Sequence, residues 1–170
     1  MKNSVIGLGK LGLPFALFLA SKNQHVMCCD SNEKIINKLK KNISPYIEPL
    51  TSEYLKKYNK RIVLENNFDN LIKYTEITHL VLPTPSLKNN SFSNKYLMEC
   101  LDQLSKSLLK YKNKSHIINI TSTVMPGSCD NIFCNFLKSK GLKNEKDFII
   151  TYNPHFIAQG TTIYNLENPD

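Results

Sequence analysis

Three glycines, Gly7, Gly9 and Gly12, stand in "VIGLGKLGLP" behind a short apolar run, and an acid, Asp30, closes a second apolar run 18 residues after Gly12. Glycines at this spacing suit one kind of chemistry. Without a Cβ in the way, backbone N–H groups come close to a phosphate, and the start of a following helix adds unpaired N–H groups and partial positive charge. Gly7 would allow the tight turn, Gly9 the approach of a diphosphate, and Gly12 the close packing of helix on strand. Lys10 and Leu11 lie in the same loop. Asp30 would accept hydrogen bonds from the ribose hydroxyls of an adenosine and repel a 2′-phosphate, which selects NAD over NADP. The glycine spacing alone is also met by an ordinary tight turn with an unrelated acid, so the surrounding elements must decide.

Those elements alternate. "NSVIG" reads as a strand and "LGLPFALFLASK" as a helix, with Pro14 in its first turns where a missing N–H costs little. "QHVMCCD" is a second strand ending at Asp30, and "NEKIINKLKKN" a helix with Ile35, Ile36 and Leu39 at helical spacing. Two prolines in "ISPYIEPL" break the pattern before "TSEYLKKYNK", which opens on a Thr/Ser cap candidate and is predicted helical. "RIVLE" is a short strand, "NFDNLIKYTE" a short helix, and "THLVLPTPS" a buried strand ending in a proline-locked loop. "NKYLMECLDQLSKSLLKY" places Leu97, Leu101, Leu104 and Leu108 along one helix face. "SHIINITST" is a strand, "VMPGSCDNIFCNFLKSKG" a turn and a helix stopping at Gly141, and "DFIITYNP" a further strand. This order predicts an α/β fold with a doubly wound parallel sheet, a Rossmann-like dinucleotide-binding domain over residues 1–170. In that setting the glycine loop lies between a strand and a helix, and the dinucleotide reading prevails.

Composition narrows the class. The chain has 170 residues, 41% of them hydrophobic, enough for one domain with a substantial core. Glycines and Pro14 interrupt the apolar N-terminal stretch, so it is not a secretory signal, and no apolar run is long enough to span a membrane. The formal net charge of +8 comes almost entirely from lysine, Arg61 being the single arginine. The lysines are scattered, without a dense basic stripe interleaved with aromatics, which argues against a nucleic-acid partner. Five cysteines without a C-x-x-C pair point to a reduced, cytoplasmic setting in which most are small core residues and none builds a zinc site.

Beyond the glycine loop, further stretches carry a resemblance. "VIGLGKLGLPFA", "SPYIEP", "VLPTPS", "TSTVMPGS" and "YNPHFIAQGTTIYNLENPD" resemble, in order, the motifs of the N-terminal domain of the UDP-glucose/GDP-mannose dehydrogenases, the nucleotide-sugar dehydrogenases. The resemblance runs the whole chain. It implies NAD-linked oxidation of the C6 alcohol of a UDP- or GDP-linked sugar to a carboxylate in two steps, through a thiohemiacetal and a thioester on a cysteine elsewhere in the full enzyme. It also implies products used in polysaccharide synthesis, and a homodimer or higher oligomer at full length. By resemblance, Thr84, flanked by Pro83 and Pro85, stands beside the cofactor. Thr123 contacts the cofactor and orients a water near the reacting carbon. His155, Phe156, Ile157 and Gln159 face the substrate. Glu48 is expected to order the segment after the second helix rather than to do acid–base work.

The departures from the family pattern bear on the chemistry. His155 stands where the family has a glutamate assigned to acid–base work, and Gln159 where it has a second. Histidine exchanges protons near neutral pH, and as a base would give a rate rising through a pKa of about 6 to 7; glutamine cannot act as a base. Ile35 replaces a lysine on the adenosine side, with Lys34 adjacent. Nothing resembles the G-x-C-x-P-K-D region that carries the family's nucleophile, and neither Cys129 nor Cys134 has its flanks. The chain is therefore expected to lack the final strand and the central and C-terminal domains of the full enzyme. A stand-alone nucleotide-binding or regulatory module without turnover is the competing reading; another Rossmann enzyme, such as a 3-hydroxyacid dehydrogenase, is disfavoured by "NPHFIAQG" and "SPYIEP".

Overall fold

The computed structural model describes residues 2–111, 115–155 and 158–169. Its centre is a six-stranded, wholly parallel sheet of β1 (Asn3–Ile6), β2 (Val26–Cys29), β3 (Ile62–Leu64), β4 (Ile77–Leu80), β5 (His116–Ile120) and β6 (Phe148–Tyr152). The strand order is β3-β2-β1-β4-β5-β6. From β1 the chain winds outward one way to β3, then returns to β4 and winds the other way. The crevice between β1 and β4 is the point where a doubly wound sheet opens at its carboxyl edge and takes ligands.

Two apolar layers hold the sheet. On one face α1 (Gly12–Ser21), α2 (Glu33–Lys40) and α3 (Thr51–Tyr58) enclose Val5, Leu8, Leu13, Leu17, Val26 and Cys28, all fully buried. On the other, α4 (Phe68–Tyr74), α5 (Lys95–Lys110) and α6 (Asn135–Ser139) pack on Leu80, Ile118, Ile120 and Phe148. The apolar stripe of α5 is buried there as its spacing predicts. The sequence of α1 is apolar all round for a structural reason: the helix has the sheet beneath it and α3 and α7 (Thr162–Glu167) against its other sides. Buried aromatic truncations such as Phe148→Ala generally cost about 3–5 kcal/mol, a large part of a domain's stability.

The boundaries differ from the sequence reading in instructive places. β4 ends at Leu80, earlier than "THLVLPTPS" suggests, because Pro83 and Pro85 lack the N–H a ladder needs and the chain leaves the sheet before them. The turn after β5 winds into a π-helical segment, Ser128–Cys134, before α6, and α7 was not anticipated at all. The expected Thr/Ser cap of α3 is corrected: the residue before the helix is Leu50, in a left-handed conformation (φ 63°), and Thr51 begins the helix with its Oγ1 buried and no partner among the described residues. The chain enters α3 directly from the buried Glu48, whose carbonyl accepts the Thr51 N–H, so the cap position is displaced. Among the described residues no helix is long and apolar enough to cross a membrane.

Candidate functional site

The glycine loop is a rigid joint with an open lip. Gly7 has φ +95°, and a Cβ on it would lie 2.2 Å from the Val81 carbonyl oxygen. A Cβ on Gly12 would lie 1.8 Å from the Gly7 carbonyl oxygen. These two positions let β1, α1 and the end of β4 meet. Gly9 is different: a Cβ there would meet nothing within 4 Å. It borders a cleft of about 870 Å³, and the N–H groups of Gly9, Lys10 and Leu11 have no acceptor among the described residues. Unpaired donors at the start of α1, with open space over the one glycine of this loop that packing does not require, have the geometry of a phosphate cradle.

Asp30 faces the same cleft. Its Oδ2 accepts the Leu8 N–H at 2.7 Å and its Oδ1 the Asn32 N–H at 2.7 Å, so the carboxylate is oriented by the glycine loop on one side and the start of α2 on the other. Each oxygen keeps a lone pair for a further donor. Tyr46, Phe68 and Cys100 add apolar wall around this end. The glycine cradle and the oriented acid fit the diphosphate and ribose of a dinucleotide, and the volume falls in the range of cofactor clefts.

Thr84 and Thr123 reach the cleft from the loops after β4 and β5. Ser122 sets their spacing: its hydroxyl accepts the Leu82 N–H at 2.8 Å and lies 2.8 Å from the Leu82 carbonyl and 3.2 Å from that of Leu80. Pro83 lines the wall, whereas Pro85, expected at the cofactor, is exposed at the edge of this loop, its carbonyl accepting the Ser93 N–H.

His155 and Gln159 also line the cleft, while Phe156 and Ile157, expected at the substrate, fall outside the described residues. The His155 ring meets Phe15 edge-on at 4.6 Å, and Phe15 meets His79 of β4 in the same way at 5.0 Å. Burial pulls the His155 pKa below its ordinary 6.5, and its Nδ1 is buried without a partner among the described residues. A base at this position therefore titrates lower than an ordinary imidazole. His79 is held neutral more firmly. Asn119 Nδ2 donates to its Nδ1 at 3.0 Å, and its Nε2 donates to Asn3 Oδ1 at 3.0 Å. Burial, and the charge His155 would carry, bring its pKa down to about 4. Asn119 Oδ1 accepts from Thr151, so the amide orientation and the imidazole tautomer fix each other.

Lys10 crosses the lip of the cleft and donates from Nζ to Gln159 Oε1 at 3.2 Å. Glu48 does not order its own segment alone, as the sequence suggested. Its carboxylate reaches 112 residues along the chain to the Gly160 N–H and, two residues further, to the Thr162 N–H and hydroxyl. Sequence reasoning also passed over Ser122, His79 and Asn119. For His79 and Asn119 the available signal was a polar side chain in a largely apolar strand, in "THLVL" and "HIINI", whose positions pair across β4 and β5; Ser122 lies beyond the end of β5 and carries no such signal. Cys28, Cys29 and Cys100 are buried; burial pushes the Cys29 thiol up to about 12 and the other two higher. Among the described residues no group of three or more His, Cys, Asp or Glu side chains is gathered to hold a metal ion.

The sheet order and the glycine cradle with its oriented acid define a dinucleotide-binding domain. Comparison with known proteins narrows this. The model of the UDP-glucose/GDP-mannose dehydrogenase family, NAD binding domain, matches residues 1–170. The chain belongs to that family, as the NAD-binding domain. It is 33% identical over 172 aligned positions to a UDP-glucose 6-dehydrogenase of Rickettsia felis, covering 100% of this chain and 36% of the relative. A GDP-mannose 6-dehydrogenase of Pseudomonas syringae pv. tomato is 28% identical, with 99% and 39% covered. Among solved structures, a GDP-mannose dehydrogenase from Pseudomonas aeruginosa superposes with a TM-score of 0.92 at 24% identity, over 99% of this chain and 39% of that one, and shows the same fold. The chain thus spans little more than a third of the length of these relatives.

Proposed function

We propose that this domain serves the NAD-linked oxidation of a nucleotide sugar, with a UDP-linked hexose as the first candidate. The observation that carries the reading is the open space over Gly9 between two glycines that packing makes obligatory, beside the oriented Asp30. The identity to relatives named UDP-glucose 6-dehydrogenase supports the choice of sugar nucleotide. Bound NAD would supply the hydride acceptor. In this reading the N–H groups of Gly9, Lys10 and Leu11 hold the diphosphate, Asp30 holds the adenosine ribose, and Thr84 and Thr123, spaced by Ser122, orient the nicotinamide side with their hydroxyls.

His155 is proposed as the proton acceptor. Its lowered pKa keeps the ring neutral at physiological pH, and the buried Nδ1 has no competing donor among the described residues. The Phe15 contact fixes the ring's tilt, and His79, neutral and locked between two amides, adds no charge that would oppose protonation of His155. Gln159 offers hydrogen bonds to substrate but takes no proton.

A second reading, cofactor binding without turnover by these 170 residues alone, is favoured by the placing of the thiols. Nucleophilic catalysis needs a thiolate at the substrate; Cys28, Cys29 and Cys100 are buried and pushed far from ionisation, and the more exposed Cys129 and Cys134 do not line the cleft. Calorimetric titration with NAD and NADP, followed by an NADH assay with UDP-glucose and GDP-mannose, separates the possibilities. NAD binding in preference to NADP supports the cofactor site; equal or tighter NADP binding would sink the assignment of Asp30.

A further inference from the structure

We infer that Glu48 is a positioning residue for the cofactor loop: its carboxylate clamps the Gly160–Thr162 turn and so sets Gln159 against Lys10 at the lip of the cleft. The inference rests on the cofactor reading of that cleft. Glu48 is 7% exposed, and a carboxylate is taken out of water only where the protein replaces its hydrogen bonds. Here the replacement comes from one turn far along the chain and falls mostly on one oxygen. Oε1 accepts from Thr162 Oγ1 at 2.8 Å, Gly160 N at 2.9 Å and Thr162 N at 3.2 Å, and Oε2 lies 3.1 Å from the same Gly160 N.

The turn it holds places Gln159 directly beside the clamp, and Gln159 Oε1 takes the Lys10 ammonium. The Lys10 charge is also felt at Glu48: together with the hydrogen bonds from Thr162 and Gly160 it holds the carboxyl below its usual pKa against the cost of burial. Three segments far apart in the chain thus converge on the one loop that carries the phosphate-facing N–H groups. Leu50, two residues on at the entry to α3, adopts φ 63° with a bulky side chain. Such a conformation persists where its surroundings over-determine it.

The two oxygens carry unequal loads, which makes the substitutions informative. In Glu48→Gln the amide oxygen can keep the three contacts of Oε1 and loses only the charge and the weaker side. Glu48→Ala loses every contact. The 170-residue chain is titrated calorimetrically with NAD, as wild type, Glu48→Gln, Glu48→Ala, Lys10→Ala and the Glu48→Ala/Lys10→Ala double variant. The expected loss of affinity is about threefold for Glu48→Gln and about tenfold for Glu48→Ala, in line with losing charge-assisted hydrogen bonds. In the Lys10→Ala background Glu48→Ala should add little, because the two act through one contact chain. Amide exchange at Gly160 and Thr162 should accelerate in Glu48→Ala while that of Val5 and Ile118 in the core does not, which separates the clamp from general unfolding. The Gln159 side-chain amide resonance, read without NAD, should shift in both Glu48 variants. Unchanged NAD affinity, additive losses in the double variant, or an unmoved Gln159 resonance would overturn the inference. Failure of the wild type to bind NAD would instead sink the cofactor reading, and the Gln159 resonance would still decide the clamp. Should Glu48→Ala not fold, Glu48→Gln carries the same comparison.

Discussion

Gly9→Ala is the sharpest perturbation of the cofactor cradle, because the structure separates its effect on binding from its effect on folding. A Cβ on Gly9 meets no atom within 4 Å, and Gly9 is not among the glycines with positive φ. Alanine therefore fits the folded backbone and reduces the freedom of the unfolded chain, so stability should hold or rise by about 0.4–1 kcal/mol. In the proposed site the same methyl stands where a diphosphate would approach the N–H groups of Gly9, Lys10 and Leu11. Losing one charge-assisted hydrogen bond, at about 1.5–3 kcal/mol, weakens NAD by about tenfold to a hundredfold, and losing two by more. Gly12→Ala is the contrasting control. Its Cβ would start 1.8 Å from the Gly7 carbonyl oxygen, against a limit near 3.0 Å, so α1 must lift off β1. Overpacking of this kind costs about 1–3 kcal/mol or more and lowers stability directly. Urea denaturation and NAD calorimetry on both variants read the two effects. Gly9→Ala binding NAD like wild type, or losing more than about 1 kcal/mol of stability, would refute the assignment of Gly9 to the ligand rather than to the fold.

Other consequences are open to simple tests. His79 is neutral in the folded state with a pKa near 4 against an ordinary 6.5, so the unfolded chain binds its proton first as pH falls. Its contribution, about 3 kcal/mol, is present above pH 6.5 and lost between there and about 4; denaturation midpoints against pH should steepen in that window and flatten in His79→Asn. His155 should titrate below 6.5 by NMR, since burial lowers it; a midpoint at or above 6.5 would contradict the packed position against Phe15. Ser122→Ala leaves the Leu82 N–H without its partner and should cost about 1–3 kcal/mol in urea unfolding; an unchanged midpoint would show that the two loops are spaced by something else. Native protein should yield Cys129 and Cys134 to a thiol reagent, with Cys28, Cys29 and Cys100 modified only on denaturation. Finally, these 170 residues should produce no NADH from UDP-glucose, and steady production abolished by Thr123→Ala would overturn that expectation.

The sheet was legible because parallel strands buried on both faces are short apolar runs, and "NSVIG", "QHVMCCD" and "SHIINITST" announce themselves between helical periods. The glycine loop and Asp30 were legible because their chemistry depends on adjacency in sequence. The positions of Glu48, Ser122 and His79 were not, because each acts across a long loop: Glu48 on Thr162, Ser122 on Leu82, His79 on Asn119. Local patterns hold no record of such partners. α7 escaped notice for a related reason. It is six residues long, and its place is fixed by packing on α1 and by the carboxylate of Glu48 rather than by a strong period of its own.

The central claim is that the glycine lip and Asp30 form one site for NAD. The most direct measurement is an amide-resolved NMR titration of the chain with NAD and, separately, NADP. The largest shifts are expected on Gly9, Lys10, Leu11 and the Asp30 neighbours Leu8 and Asn32, saturating with NAD at lower concentration than with NADP. Shifts centred elsewhere on the molecule, or saturation by NADP at equal or lower concentration, would contradict it.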